Sequence, residues 1–205
     1  FTSPDENAAR ITAMEKGTVI LDALKLNYNQ VAYSSSDLAA ISAGTFTITN
    51  GSTIVSNAQY FYYSGFQTST RSQIVIDGQS KVTTNSLRDG TNTAGAIWNV
   101  EELSDIWIKG GSTLEMHGNA HNKADSNALF GISRASGSTL NVTEGSHVKA
   151  VSDTASAILM QSSGGSINVG GQSNLDLVSK GDNSALEATL GFKVAGNMTF
   201  NVDGN

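Results

Sequence analysis

Three groups of side chains in this chain are of types that do chemistry, and spacing defines each group. Glu115, His117, His121 and Asp125 bring two carboxylates and two imidazoles into one short stretch. Histidine with carboxylate suits zinc, and Glu115 and His117, two apart, share a face of an extended chain. Gly118-Asn119 interrupts the chain before His121, so spacing sets no common direction; a loop histidine is the plainer reading, and no metal is expected. Thr83, Glu115, Lys149 and Asp176 occupy one offset of a recurring pattern. Glu115, Lys149 and Asp176 are the residues in it suited to polysaccharide cleavage, which needs two carboxylates at a defined separation, or acidic calcium ligands beside a basic group. The row alternates in sign, as cross-strand charge pairing on a solvated sheet would, each pair contributing under about 1 kcal/mol. The third group is aromatic: Trp107, and Tyr60, Tyr62 and Tyr63 within the run from Tyr60 to Phe66. Flat rings on a surface stack on sugars or are covered by their own chain.

Other chemistries lack their residues. Cysteine is absent, which removes disulfides and thiolate chemistry and fits an export route. There is no Gly-x-Ser-x-Gly, no His-Glu-x-x-His and no phosphate loop; Gly164-Gly165 and Gly170-Gly171 precede neither a helix nor a lysine. No cofactor is expected. Acceptor triplets for glycosylation begin at Asn50, Asn141 and Asn197, but chance supplies such triplets in a chain this rich in Asn, Ser and Thr.

A net charge of -6 with Arg10, Arg71, Arg88 and Arg134 as the only arginines leaves no basic stripe, so no nucleic acid is expected as partner. No apolar run reaches the roughly 18 residues a membrane span needs, and Phe1-Thr2-Ser3-Pro4 lacks the features of a signal peptide. The reading is therefore a soluble, trimmed segment with no membrane insertion. With 39% hydrophobic and 15% charged residues it can bury a core, and the single proline, Pro4, offers no linker to divide it.

The candidate side chains gain geometry only from the elements beneath them, and those elements repeat. The unit is apolar-x-apolar, a corner with glycine and serine, then apolar positions again. Its copies read Phe46, Ile48, Gly51, Ser52, Ile54; then Ile74, Ile76, Gly78, Ser80, Val82; then Ile106, Ile108, Gly111, Ser112, Leu114, Met116. They continue with Leu140, Val142, Gly145, Ser146, Val148; then Ile167, Val169, Gly171, Ser173, Leu175; and a sixth starts at Phe200, Val202. The serine keeps its offset while the period, roughly 30 residues, wanders by a few, the mark of fixed strands joined by elastic loops. Period-2 alternation makes each flank a strand, and Gly with Ser makes a tight corner. A third apolar stretch follows in several copies: Ala94 to Trp98, Ala128 to Ile132, Ala155 to Leu159 and Ala185 to Leu190.

Three strands per coil, stacked about 4.8 Å apart over about six coils, make an all-β parallel β-helix spanning 45–205. An antiparallel sandwich also alternates, but its turns need no shared serine. Residues 1–44 read as an N-terminal cap and degenerate first coil, where Ser3, Pro4 and Glu6 have the order of a helix start. The spacing thus predicts a capping helix over 4–16, ended by Gly17. On the first strand the outward positions are Thr47, Val75, Trp107, Asn141, Asn168 and Asn201. Asparagines so stacked can bond to one another, whereas Trp107 faces outward for a sugar ring or for a cover formed by Ala96 to Glu102. Asn205 stops inside the sixth copy, so the natural polypeptide is expected to continue.

The corners and strands Gly111-Ser112-Thr113-Leu114, Gly137-Ser138-Thr139-Leu140-Asn141-Val142 and Gly165-Ser166-Ile167-Asn168-Val169, with the aromatic run from Gln59 to Phe66, carry a likeness. Over about 45–205 the chain resembles the pectate-lyase-like adhesive domain of Gram-positive cell-surface proteins. The resemblance implies a right-handed coil and a secreted, wall-attached protein whose solenoid contributes to adhesion. It points to a non-catalytic module, monomeric within a longer multidomain protein, whose partner is a host or biofilm glycan or protein. Trp107, Tyr60, Tyr62 and Tyr63 are the contact candidates. A polysaccharide lyase or hydrolase using Glu115, Asp176 and Lys149 is the alternative, and a passive stalk is another.

Overall fold

A computed structural model describes residues 2–3, 11–14, 16–30, 37–58, 60–64, 71–86, 98–100, 103–118, 128–132, 137–153, 156–160, 165–180, 190–192 and 199–202. They form an all-β parallel solenoid built of three seven-stranded sheets. Sheet A contains β1 (Thr2–Ser3), β4 (Lys25–Gln30), β7 (Thr53–Ala58), β10 (Lys81–Ser86), β13 (Thr113–Gly118), β16 (His147–Ser152) and β19 (Asn174–Ser179). Sheet B contains β2 (Ile11–Met14), β5 (Asp37–Ser42), β8 (Tyr60–Ser64), β11 (Trp98–Val100), β14 (Ala128–Ile132), β17 (Ser156–Met160) and β20 (Leu190–Phe192). Sheet C contains β3 (Thr18–Asp22), β6 (Thr45–Thr49), β9 (Ser72–Ile76), β12 (Ser104–Ile108), β15 (Thr139–Val142), β18 (Ser166–Val169) and β21 (Thr199–Val202). Within each sheet the described pairs run parallel, for example β9 with β12 and β13 with β16, which disposes of the sandwich.

Parallel register stacks equivalent positions of the repeat, so the apolar alternation becomes continuous columns. Phe46, Ile74, Ile106, Leu140 and Ile167 form one inward column, and Ile48, Ile76, Ile108, Val142 and Val169 the next. With Ile54, Val82, Leu114 and Val148 from sheet A they make a core that is all but sealed from water. Each residue stacks on a near-identical neighbour, so interdigitation is solved once and repeated. Trp98 of β11 is also fully buried, its ring 4.7 Å from Phe61 and 5.9 Å from Phe130 between centroids. Such tilted and offset pairs add roughly 0.5–1.5 kcal/mol each beyond the area they bury.

The serine at fixed offset is explained by backbone accounting. At each corner two successive residues adopt positive φ: Asn50 and Gly51, Gly78 and Gln79, Gly110 and Gly111, Glu144 and Gly145, Gly171 and Gln172. The turn drives the next residue inward, where its amide must find an acceptor without water. Ser52 N donates to Ser80 Oγ at 3.1 Å, Ser80 N to Ser112 Oγ at 3.1 Å, Ser112 N to Ser146 Oγ at 3.1 Å, and Ser146 N to Ser173 Oγ at 3.0 Å. A one-carbon hydroxyl is the side chain that reaches the next coil's amide without filling the corner. A second buried column, Ser72, Ser104 and Ser138, opens sheet C, with Ser104 N donating to Ser138 Oγ at 3.0 Å.

The capping helix over 4–16 is corrected in part. Ile11–Met14 is β2, paired in parallel with Ala39 to Ser42, and Ala13 lies in the core. No helix occurs among the described residues. Ile11 and Thr12 are β-branched and suited to a pleated surface, and pairing with β5 satisfies backbone groups that a helix would leave open at its ends. Pro4 and Glu6 lie outside the described residues.

Candidate functional site

The outward face of sheet C carries one row along the solenoid: Ile20, Thr47, Val75, Trp107, Asn141 and Asn168, each in register with the next, and Asn201 pairs with Asn168 in the same backbone register. The first four positions are mostly apolar, with Ile20 59% exposed and Val75 and Trp107 half-buried. Asn141 and Asn168 bond to each other, Asn168 Nδ2 donating to Asn141 Oδ1 at 2.7 Å. Trp107 stands where the apolar half meets the asparagines.

A connected polar network borders the indole. Asn141 Nδ2 donates to Thr139 Oγ1 at 2.8 Å, Thr139 Oγ1 donates to Asp105 Oδ1 at 2.7 Å, and Arg71 Nη1 donates to the same Asp105 oxygen and to Gly137 O at 3.3 Å. Asp105 lies two residues before Trp107 and so shares its face. Just past β12, Lys109 Nζ sits 3.3 Å from Asp77 Oδ2. The charges around the indole therefore cancel in pairs. A half-buried ring edged by groups already held in place can take an apolar ligand face while hydroxyls at its rim meet fixed polar atoms, with little ordering cost on the protein side.

The cover drawn for Trp107 from Ala96 to Glu102 is corrected at its centre. Trp98–Val100 is a strand of sheet B, and Trp98 and Val100 are fully buried in the core, so they do not lie over sheet C. The tyrosines stand apart as well. Tyr60, Tyr62 and Tyr63 belong to β8 in sheet B, with Tyr62 in register with Trp98 and Tyr63 with Asn99. Trp107 and the tyrosines thus belong to strands of different sheets.

Sheet A assembles the charged row. Thr83, Glu115, Lys149 and Asp176 lie side by side on β10, β13, β16 and β19. The carboxylates face diagonal neighbours: Glu115 Oε1 pairs with Lys81 Nζ at 3.1 Å, and Asp176 Oδ2 lies 2.9 Å from His147 Nε2, an ion pair only when the imidazole is protonated. These pairs are partly exposed, and their worth is about 0–1 kcal/mol. His117 continues a ladder in which Asn57 Nδ2 donates to Asn29 Oδ1 at 2.6 Å and Asn85 Nδ2 to Asn57 Oδ1 at 2.8 Å. Among the described residues no three His, Asp or Glu side chains gather for a metal. His121 and Asp125 lie outside them.

Sequence reasoning missed the Arg71–Asp105–Thr139–Asn141 network. Part of its signal was present, since Asp105 precedes Trp107 by two residues and Thr139 precedes Asn141 by two. Comparison of the chain with protein-family models, with curated proteins and with solved structures finds no match.

Proposed function

We propose that this chain is a non-catalytic, ligand-binding module of a bacterial surface protein, which holds a glycan against the outward face of sheet C at Trp107. The observation that carries the reading is a half-buried indole on the outward face of a parallel sheet, bordered by hydrogen-bonded Asp105, Thr139 and Asn141. The pectate-lyase-like adhesive domain supplies the wider frame: a right-handed coil of three strands, secreted and wall-attached, with a host or biofilm partner. Right-handedness follows the usual hand of parallel crossovers. Tyr60, Tyr62 and Tyr63 lie on β8 of another sheet and are contact candidates separate from Trp107.

The test is a glycan array together with co-sedimentation on insoluble polysaccharides, using the wild-type chain and Trp107→Ala. Loss of stacking worth about 0.5–1.5 kcal/mol weakens binding by roughly two- to twelvefold, with far-ultraviolet circular dichroism unchanged. Binding that survives Trp107→Ala undiminished refutes the site, and no binding to any glycan favours the stalk. Because the register brings Glu115, Lys149 and Asp176 into one row, the same polysaccharides are assayed for reducing and unsaturated ends, with and without calcium. Turnover abolished by Glu115→Gln would replace the adhesive reading with a catalytic one.

A further inference from the structure

Asn50-Gly51 is the only Asn-Gly dipeptide in the chain, and it forms the corner between β6 and β7. In such a dipeptide the glycine amide nitrogen can attack the asparagine side-chain carbonyl carbon and close a five-membered succinimide. Glycine hinders this least because it has no Cβ. Both residues are exposed, with φ of 55° and 68°, so water and base reach the corner. The two reacting groups are nevertheless drawn apart along the solenoid axis. Asn50 Nδ2 donates to Asp22 Oδ1 at 2.6 Å, one coil back. Gly51 N donates to Gly78 O at 2.7 Å, one coil on. Ring closure requires loss of that N–H proton and a swing of the amide side chain away from Asp22, so it competes with both bonds.

We propose that Asn50 is a conformationally gated deamidation site, closed while its neighbouring coils are stacked and reactive once the corner separates from Gly78. Base removes the Gly51 amide proton and the nitrogen bonds to Asn50 Cγ. The Cγ–Nδ2 bond breaks, and ammonia leaves after taking a proton from water. Water then opens the succinimide, at Cγ to give aspartate or at the main-chain carbonyl to give isoaspartate. The aspartate product sets a carboxylate against Asp22 where a donor stood, so attraction becomes like-charge repulsion. Isoaspartate also inserts a backbone atom into a corner whose neighbours are fixed in register. Deamidation therefore disfavours re-closure, and a transient opening becomes a lasting covalent mark.

The intact chain is held in mildly alkaline buffer with and without urea, and peptides spanning the corner are mapped by mass for conversion at Asn50 and for isoaspartate. Conversion is expected to be slower in the folded chain by at least about tenfold, the ratio reflecting the population of the opened corner. Equal rates would overturn the gate. In native buffer Asp22→Ala frees the side chain and is expected to raise the folded-state rate several-fold, with circular dichroism confirming the fold. An unchanged rate in that folded variant overturns the tether and the gate with it. Should Asp22→Ala fail to fold, thermal midpoints decide: Asn50→Asp lowers the midpoint and Asp22→Asn combined with Asn50→Asp recovers it, and no recovery refutes the repulsive closure.

Discussion

Replacing Ser112 by alanine tests whether the fixed-offset serine is structural. Ser112 is fully buried, its Oγ accepts from Ser80 N at 3.1 Å, and its own amide donates to Ser146 Oγ at 3.1 Å. Deleting the hydroxyl leaves Ser80 N with the carbonyl of Asp77 at 3.3 Å, a long turn contact. A buried donor stripped of its partner costs roughly 1–3 kcal/mol, and the residual contact places the expected loss at about 1–2 kcal/mol. In urea, with a slope near 2 kcal/mol/M, the midpoint falls by roughly 0.5–1 M while the slope stays constant. A solenoid can open coil by coil, so amide exchange gives the local readout. The Ser80 amide loses protection about tenfold or more, while amides several coils away change less. A stability change below about 0.3 kcal/mol, or unaltered exchange at Ser80, would refute the claim that the serine is kept for its acceptor.

Three further outcomes follow from named contacts. Gly110→Ala puts a Cβ 2.9 Å from Gly78 N and into the Asp77 carboxylate at φ +62°, whereas Gly145→Ala meets nothing within 4 Å at φ +69°. Urea midpoints are expected to show a loss of about 1–2 kcal/mol for Gly145→Ala, from backbone strain alone, and a larger one for Gly110→Ala; equal losses would remove the steric argument. Asn57→Ala breaks two ladder bonds, to Asn29 and from Asn85, and costs about 1–2 kcal/mol in the same assay, with Asn57→Asp worse because it turns a donor into a charged acceptor facing Asn29 Oδ1. Lys81→Ala removes a pair whose side chains are 50% and 27% exposed; thermal denaturation should register under about 1 kcal/mol, and less in high salt.

The inward columns were legible because every side chain in them is chosen by the same cavity. Phe46 to Ile167 and Ile48 to Val169 recur at one offset, and a parallel ladder returns them to one line. The third strand was read less sharply: Ala128–Ile132 is β14 as drawn, while the segment drawn from Ala94 to Trp98 supplies β11 at Trp98–Val100. Bulky Trp98 fills the interior where a neighbouring coil uses Phe130, so size matching across coils and not local pattern sets that position. The helix over 4–16 fails at β2 because capping signals act within a turn, whereas pairing with β5 depends on residues some thirty positions away. The Ser72, Ser104, Ser138 column was available, each serine standing two places before an inward residue, but two small polar columns per coil blend into a background rich in serine. Arg71 was out of reach: it precedes β9, reaches across to Asp105 on β12, and shares no offset with another arginine.

The two halves of the sheet C row bear differently on the proposed binding face. Asn168 donates to Asn141 and to Ser166 Oγ, and Asn141 donates onward to Thr139 and to Ile106 O at 3.3 Å, so these amide protons are committed within the sheet. A ligand hydroxyl arriving there must break an internal bond to make its own, and the exchange is close to neutral. At Trp107 no such exchange is required, since an indole face has no hydrogen bond to surrender and gains by losing water. Recognition on this face should therefore concentrate at Trp107 and Val75, while the asparagines tie neighbouring strands together. Asn168→Ala then lowers stability by about 1 kcal/mol in urea denaturation and leaves glycan retention on the array unchanged, whereas Trp107→Ala does the reverse. If both variants lose binding to the same degree with stability intact, the ligand reads the asparagine ladder directly and the assignment of the site to the indole fails.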